Sequence, residues 1–359
     1  MAEKLVLISL ILVAISGVQA ETISPRLAVS PHTFEFEVSR GEVLQNKIKV
    51  LNQSEVAIPM ATRITDFTAE EETGQMIFDE SAQDISFASR FWFKIENPDF
   101  ILEPGETEEV RFSIEVPENA EPGGHYATVL FEPQLPSYYF KPGQPRAIPV
   151  IGVIFLFSVK VEGLTRPAEP LTIVEFNIPE NFHLKRLENF IVSIGGIFTE
   201  VQAAEKEVFS IVETSHLPFT LRIKNNDIYH TKPEGKLVIL ANNGKIVGET
   251  EIPKTTILPG KIRQFPIEFK PELPEKLDKY LPAAISNFIS QNLLWGKYQA
   301  QLLLTTDYGK IEKDIEFWAF PWRFGFSTVL TLVLTLFLLV KYRHRIKKAF
   351  YLIIGRQVE

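Results

Sequence analysis

The sequence predicts an all-β protein: two immunoglobulin-like β-sandwich domains followed by one C-terminal transmembrane helix. Three observations carry that reading. Short runs alternate apolar and polar residues between Pro, Gly and Asn over most of the chain. A turn motif and a tyrosine motif recur in each half. One uncharged stretch near the end is followed at once by basic residues.

In chain order, residues 1–20 come first. Lys4, the apolar run Leu5 to Ile15 and the small or polar stretch Ser16 to Ala20 form the pattern of a cleavable signal peptide. Val18 and Ala20 fill the small-residue positions before the cut, so the mature chain is expected to begin at Glu21.

The first domain is expected over 21–163. Thr33 to Val38, Lys47 to Leu51, Val110 to Val116 and Tyr126 to Phe131 alternate as half-buried strands do. Val150 to Val161 is continuously apolar and reads as a strand covered on both faces. Pro133 to Pro149 forms a long loop, and Gly163 to Pro170 a linker.

The second domain is expected over 164–319. Leu237 to Leu240 and Ile246-Val247 flank Asn243-Gly244, a tight-turn signal. Leu302 to Thr305 and the residues from Ile311 form a second hairpin. Within about 280–294, Ile285, Phe288, Ile289 and Leu293 recur at helical spacing, which predicts a short inserted helix with that stripe against the core.

The recurring motifs are structural. Pro104-Gly105 and Pro259-Gly260 preset type II turns, because Pro holds φ near −65° and Gly accepts positive φ. Tyr126 and Tyr298 each follow a glycine at the start of a late strand, as in the tyrosine corner of immunoglobulin-like sandwiches, where the hydroxyl bonds back to the preceding corner.

Phe324 to Val340 carries no charge, and as a helix would span roughly 25 Å. Extension from Trp322 to Tyr342 gives roughly 31 Å, the thickness of a hydrocarbon core, with an aromatic residue at each interface. A transmembrane helix is therefore expected over 320–342, with Trp322, Arg323, Lys341, Tyr342 and Arg343 at its boundaries. The basic tail 343–359 fixes the cytoplasmic side and leaves the domains outside.

The whole chain has a net charge of −8. From Lys341 onward, six basic residues stand against Glu359, or +5; Glu3 and Lys4 cancel, leaving −13 for residues 21 to 340. An acidic exterior without clustered Lys and Arg argues against nucleic acid as a partner. With no cysteine, disulfides, thiol catalysis and iron–sulfur ligation are excluded, and the composition fits a bacterial or archaeal surface protein.

Chemistry-bearing motifs are missing. The six histidines (32, 125, 183, 216, 230 and 344) have no metal-ligand spacing, and there is no nucleophile elbow or phosphate loop. The expectation is a non-enzyme without cofactor. Glu70-Glu71-Glu72, near Asp66, Asp79, Glu80 and Asp84, lacks calcium-loop spacing and reads as a solvated loop. Asn52-Gln53-Ser54 matches a glycosylation acceptor. Aromatic residues are the better binding candidates: Trp92, within Phe91-Trp92-Phe93, and Tyr138, Tyr139 and Phe140 in the long loop, as a platform for sugar faces or a peptide, although Trp92 reads as part of an alternating strand and its favoured place is the core.

The run Trp92 to Pro133 resembles the first domain of bacterial WxL-interacting proteins. The resemblance rests on Phe100-Ile101-Leu102-Glu103-Pro104-Gly105-Glu106-Thr107, Ile114-Glu115-Val116-Pro117 and Pro122-Gly123-Gly124-His125-Tyr126. It extends over about residues 25–161, and the order of signal peptide, two domains, helix and basic tail is similar too. It implies a membrane-anchored cell-surface binding protein whose first domain contacts peptidoglycan and whose second contacts another surface protein or a host ligand. The rival expectation is a tethered chaperone-like or structural assembly factor for exported proteins.

Overall fold

A computed structural model describes residues 25–135, 148–183, 210–273, 279–306 and 309–343. The expected signal peptide, Tyr138 to Phe140 and most of the basic tail lie outside these residues. The chain divides into two compact units, Met1–Ala69 with Gln75–Thr165, and Glu70–Gly74 with Arg166–Glu359.

The first unit holds β1 (Leu27–Ser30), β2 (Thr33–Val38), β3 (Val43–Asn52), β4 (Ile58–Ala69), β5 (Met76–Phe78), β6 (Phe93–Ile95), β7 (Asp99–Leu102), β8 (Thr107–Glu115), β9 (Gly123–Pro133) and β10 (Ile151–Val159). One sheet runs β1-β3-β8-β6; the other runs β2-β10-β9-β4-β5, with β7 also on β4. Alternation sets the faces: Val110, Phe112 and Ile114 of β8 point inward and are buried. With no cysteine to join the sheets, aromatic packing does so: Phe112 meets Phe155 and Phe34 of the opposite sheet edge-on at 5.3 and 5.5 Å.

The second unit holds β11 (Leu171–Asn177), β12 (Ser210–Val212), β13 (Leu217–Asn225), β14 (Glu234–Ala241), β15 (Ile246–Ile252), β16 (Ile262–Phe269), β17 (Gly296–Thr306) and β18 (Gly309–Ala319). Its sheets run β11-β13-β16 and β12-β18-β17-β14-β15. The strand order of the first unit is thereby repeated, β1-β3-β8 by β11-β13-β16 and β2-β10-β9-β4 by β12-β18-β17-β14. Even the parallel pair recurs, β2 on β10 and β12 on β18. Phe265, Phe269 and Phe317 are buried in this unit's core with Leu237 and Leu302.

Helix α1 (Ala283–Ser290) lies between β16 and β17, and α2 (Trp322–Lys341) follows β18. Most of the α1 stripe does not face the core as expected: Ile285 is 47% exposed, Phe288 51% and Leu293 38%, and only Ile289 is half-buried. The interior at this edge is already filled by Leu294, the next residue, which is buried. Helix α2 has 20 residues, and its apolar side chains are exposed all round, from Phe326 to Val340. Among the described residues no helix is long and apolar enough to cross a membrane.

Candidate functional site

The segment between β5 and β6 carries exposed apolar side chains on a backbone held from inside. Asp79 and Asp84 begin it as local turns, accepting the amides of Ser81 and Ser86 at 2.9 Å. The Ser81 side-chain hydrogen bond holds the Asp79 carboxyl below its ordinary value, and the Ser86 amide does the same for Asp84.

Three core side chains then grip the loop's carbonyls. Arg90 forms an ion pair with Asp66 of β4, both side chains nearly buried, and donates to the Ala82 carbonyl. The same carboxylate accepts the Arg90 amide at 2.8 Å and the Ser89 hydroxyl at 3.1 Å. Trp92 Nε1 donates to the Ile85 carbonyl at 2.7 Å. The buried His125 ring packs tilted against Trp92 with centres 4.8 Å apart, with Nδ1 2.8 Å from the Phe87 carbonyl and Nε2 2.8 Å from that of Glu121.

With its backbone fixed, the loop turns Ile85 (47%), Phe87 (55%) and Phe91 (45%) to solvent, and Ile77 and Phe78 of β5 are also exposed. The Arg90 guanidinium lies 4.3 Å from the centre of the Phe91 ring. The result is an apolar and aromatic surface on a backbone held by hydrogen bonds from Arg90, Trp92 and His125. Among the described residues no group of three or more His, Asp or Glu is placed to hold a metal.

Trp92 takes the favoured core role and is no ligand contact. It lies in a 3-10 turn, Ser89–Trp92, not in a strand, and is 2% exposed against Phe157 and His125. Phe93 is buried too, so Phe91 is the outward member of the triplet. Tyr138, Tyr139 and Phe140 lie outside the described residues. Asp66, which the sequence sets beside a solvated acidic loop, is instead nearly buried against Arg90, 24 positions away, and no local signal joins the two. His125 stood inside a quoted motif, but its two carbonyl partners come from outside that motif.

The turn residues have structural roles. Gly105 (φ +75°) and Gly260 (φ +70°) take the left-handed conformation, and their amides donate to the Asn52 and Asn225 carbonyls at 2.9 Å. Tyr126 lies so closely over Gly124 that a Cβ there would stand 1.8 Å from its hydroxyl. Tyr298 Oη donates to the Trp295 carbonyl at 3.2 Å and accepts the Trp295 amide at 3.1 Å. The glycosylation reading of Asn52 fails, because its side chain is fully buried and Nδ2 donates to the carbonyls of Val56, Leu102 and Glu103.

The acidic residues are divided among separate partners. Glu80 pairs with Arg63 at 3.1 Å, Glu70 accepts the Thr73 hydroxyl at 2.7 Å, and Glu72 pairs with Arg222 within the second unit. At the ends of α2, Trp322 is the first helical residue and Arg323 pairs with Glu213 at 2.6 Å. Lys341 closes the helix with Nζ 5.8 Å from the Phe337 ring and 5.5 Å from that of Tyr342; Arg343 follows.

No family model matches the sequence, and no curated protein matches it. Similar solved structures include the class 5 fimbriae chaperone CfaA, with 10% identity and a TM-score of 0.35 over 81% of this chain and 99% of that one. The E. coli chaperone DraB has 14% identity and a TM-score of 0.31 over 82% and 98%. A PapD-like domain of human CEP192 has 10% identity and a TM-score of 0.26 over 41% and 92%. At TM-scores this low the likenesses do not bear on function.

Proposed function

We propose that this chain is a non-enzymatic, membrane-anchored surface protein that takes another exported protein on the loop surface of Ile85, Phe87 and Phe91. The supporting observation is apolar exposure on a braced backbone. Large apolar side chains in water are disfavoured, and a loop already fixed by Arg90, Trp92 and His125 loses little freedom on binding. Phe and Ile lack the polar edge that lets Trp and Tyr serve wet sugar surfaces, which favours a protein partner over peptidoglycan. A client of an assembly factor would use the same surface. The two-sheet order of each unit supports reading both as immunoglobulin-like.

Anchoring through α2 rests on its chemistry. In the full sequence Phe324 to Val340 is uncharged, and Lys341, Arg343, Arg345, Lys347 and Lys348 follow. The Thr331 hydroxyl donates to the Ser327 carbonyl at 2.8 Å and that of Thr335 to the Thr331 carbonyl at 2.7 Å, so these polar groups are satisfied inside the helix. On this reading the units lie outside the cytoplasm, with the bilayer as second partner.

The test is crosslinking in cells from a photoreactive side chain at position 87 of the full chain. One dominant exported protein is expected, lost when Phe91→Ser is added. A protein adduct unchanged by Phe91→Ser, or retention on insoluble peptidoglycan with no protein adduct, overturns the reading.

A further inference from the structure

Helix α1 shows what the second unit does next to α2. Residues Tyr280 to Gly296 contain no charged side chain, although the exterior portion of the chain is strongly acidic. A helix on the surface of a water-facing domain normally turns charges outward. This one turns out Ile285 and Phe288, with Leu293 and Trp295 just beyond it exposed at 38% and 44%.

The stripe adjoins the first turn of α2. Trp295 packs on Gly325, where a Cβ would stand 2.9 Å from its Cη2, and meets Phe320 edge-on at 5.7 Å. Phe288, Gln291 and Asn292 line one cavity with Pro321, Arg323 and Ser327. Trp295, Phe320 and Trp322 thereby gather at the level where α2 begins, the composition and position of an interfacial aromatic belt.

Resting on the reading of α2 as a membrane span, we propose that α1 and Trp295 form an interfacial foot. The exposed stripe enters the outer headgroup layer beside α2, so the second unit sits on the bilayer surface. The occupant is lipid, because the apolar stripe runs directly into the apolar surface of α2. Interfacial helices usually carry Lys or Arg on the polar face; α1 has only Ser and Asn there, so insertion does not depend on anionic lipid.

The chain lacks cysteine, so single labels can be placed cleanly. Full-length Ile285→Cys, Val333→Cys and Ile246→Cys, the last an exposed site on β15, are labelled with an environment-sensitive dye and reconstituted in phosphatidylcholine vesicles with and without brominated chains. The expected result is a blue-shifted emission at 285, lost in brominated lipid nearly as fully as at 333 and unaffected by salt, while 246 reports water. Quenching at 333 without quenching at 285 overturns the foot and leaves the span. Loss of quenching at both sites overturns both readings. A blue shift at 285 without bromine quenching means that protein covers the stripe, and also overturns the foot.

Discussion

Asn52 and Asn225 make equivalent hydrogen bonds in the two units. Asn52 Nδ2 donates to the Val56 and Leu102 carbonyls at 2.8 and 3.0 Å, and its Oδ1 accepts the Ser54 amide at 2.8 Å. Asn225 Nδ2 donates to the Tyr229 and Ile257 carbonyls at 2.7 and 3.0 Å, and its Oδ1 accepts the Asp227 amide at 2.9 Å. Each asparagine ends a strand, is fully buried, and offers its own carbonyl to the Gly of the Pro-Gly turn. A single side chain thus satisfies a strand end and a turn that would otherwise bury unpaired backbone groups.

Truncation should therefore be costly at either position. Asn52→Ala and Asn225→Ala are each expected to lower the stability of their own unit by about 3 kcal/mol, since a backbone amide and the carbonyls that face the side chain lose their partner. Urea titration of the full chain checks this. A loss under about 1 kcal/mol would show that water replaces the side chain.

The Asp66–Arg90 pair braces the loop that bears Phe87 and Phe91. Asp66→Ala strands a nearly buried guanidinium and is expected to cost about 3–5 kcal/mol. Limited proteolysis should show new cuts within residues 79–91 before the rest of the first unit is attacked. Unchanged cleavage would mean that Trp92 and His125 suffice to hold the loop.

His216 introduces acid sensitivity in the second unit. Burial first, and then the positive charge of Lys270, push its imidazole below the ordinary value of 6.5, with Glu268 opposing. The folded state therefore binds this proton less readily than the unfolded chain. Its contribution to stability is full above 6.5 and is lost as pH falls through that value toward the folded pKa. Its Nε2 lies 3.1 Å from the Ser290 hydroxyl at the end of α1. Thermal melts from pH 7.5 to 5 should show a steeper decline for the natural chain than for His216→Gln; parallel declines would remove His216 as the cause.

Glycine substitutions should separate strain from collision. Gly105→Ala meets nothing within 4 Å but retains a positive φ, so a loss of about 1 kcal/mol is expected. Gly235→Ala would place Cβ 2.1 Å from the Leu303 carbonyl oxygen across the β14–β17 pair, so the strands must part and the loss should be clearly larger. Equal melting temperatures for the two variants would contradict that account.

Local patterning was enough for much of the β architecture. Thr33 to Val38 alternates and forms β2 over the same residues, and Asn243-Gly244 joins β14 to β15 with Gly244 at φ +76°. Such features depend on period and on backbone conformations that few residues accept, both legible in neighbouring letters. The buried state of Trp92, the bracing of its loop by Asp66, Arg90 and His125, and the burial of Asn52 depend on partners distant in sequence. The outward stripe of α1 was equally hidden: apolar spacing identifies a helical face, but only the packed neighbours decide whether core or surroundings receive it. Here Leu294 and the sheet residues had already filled the interior, and Ile285 and Phe288 were left outside.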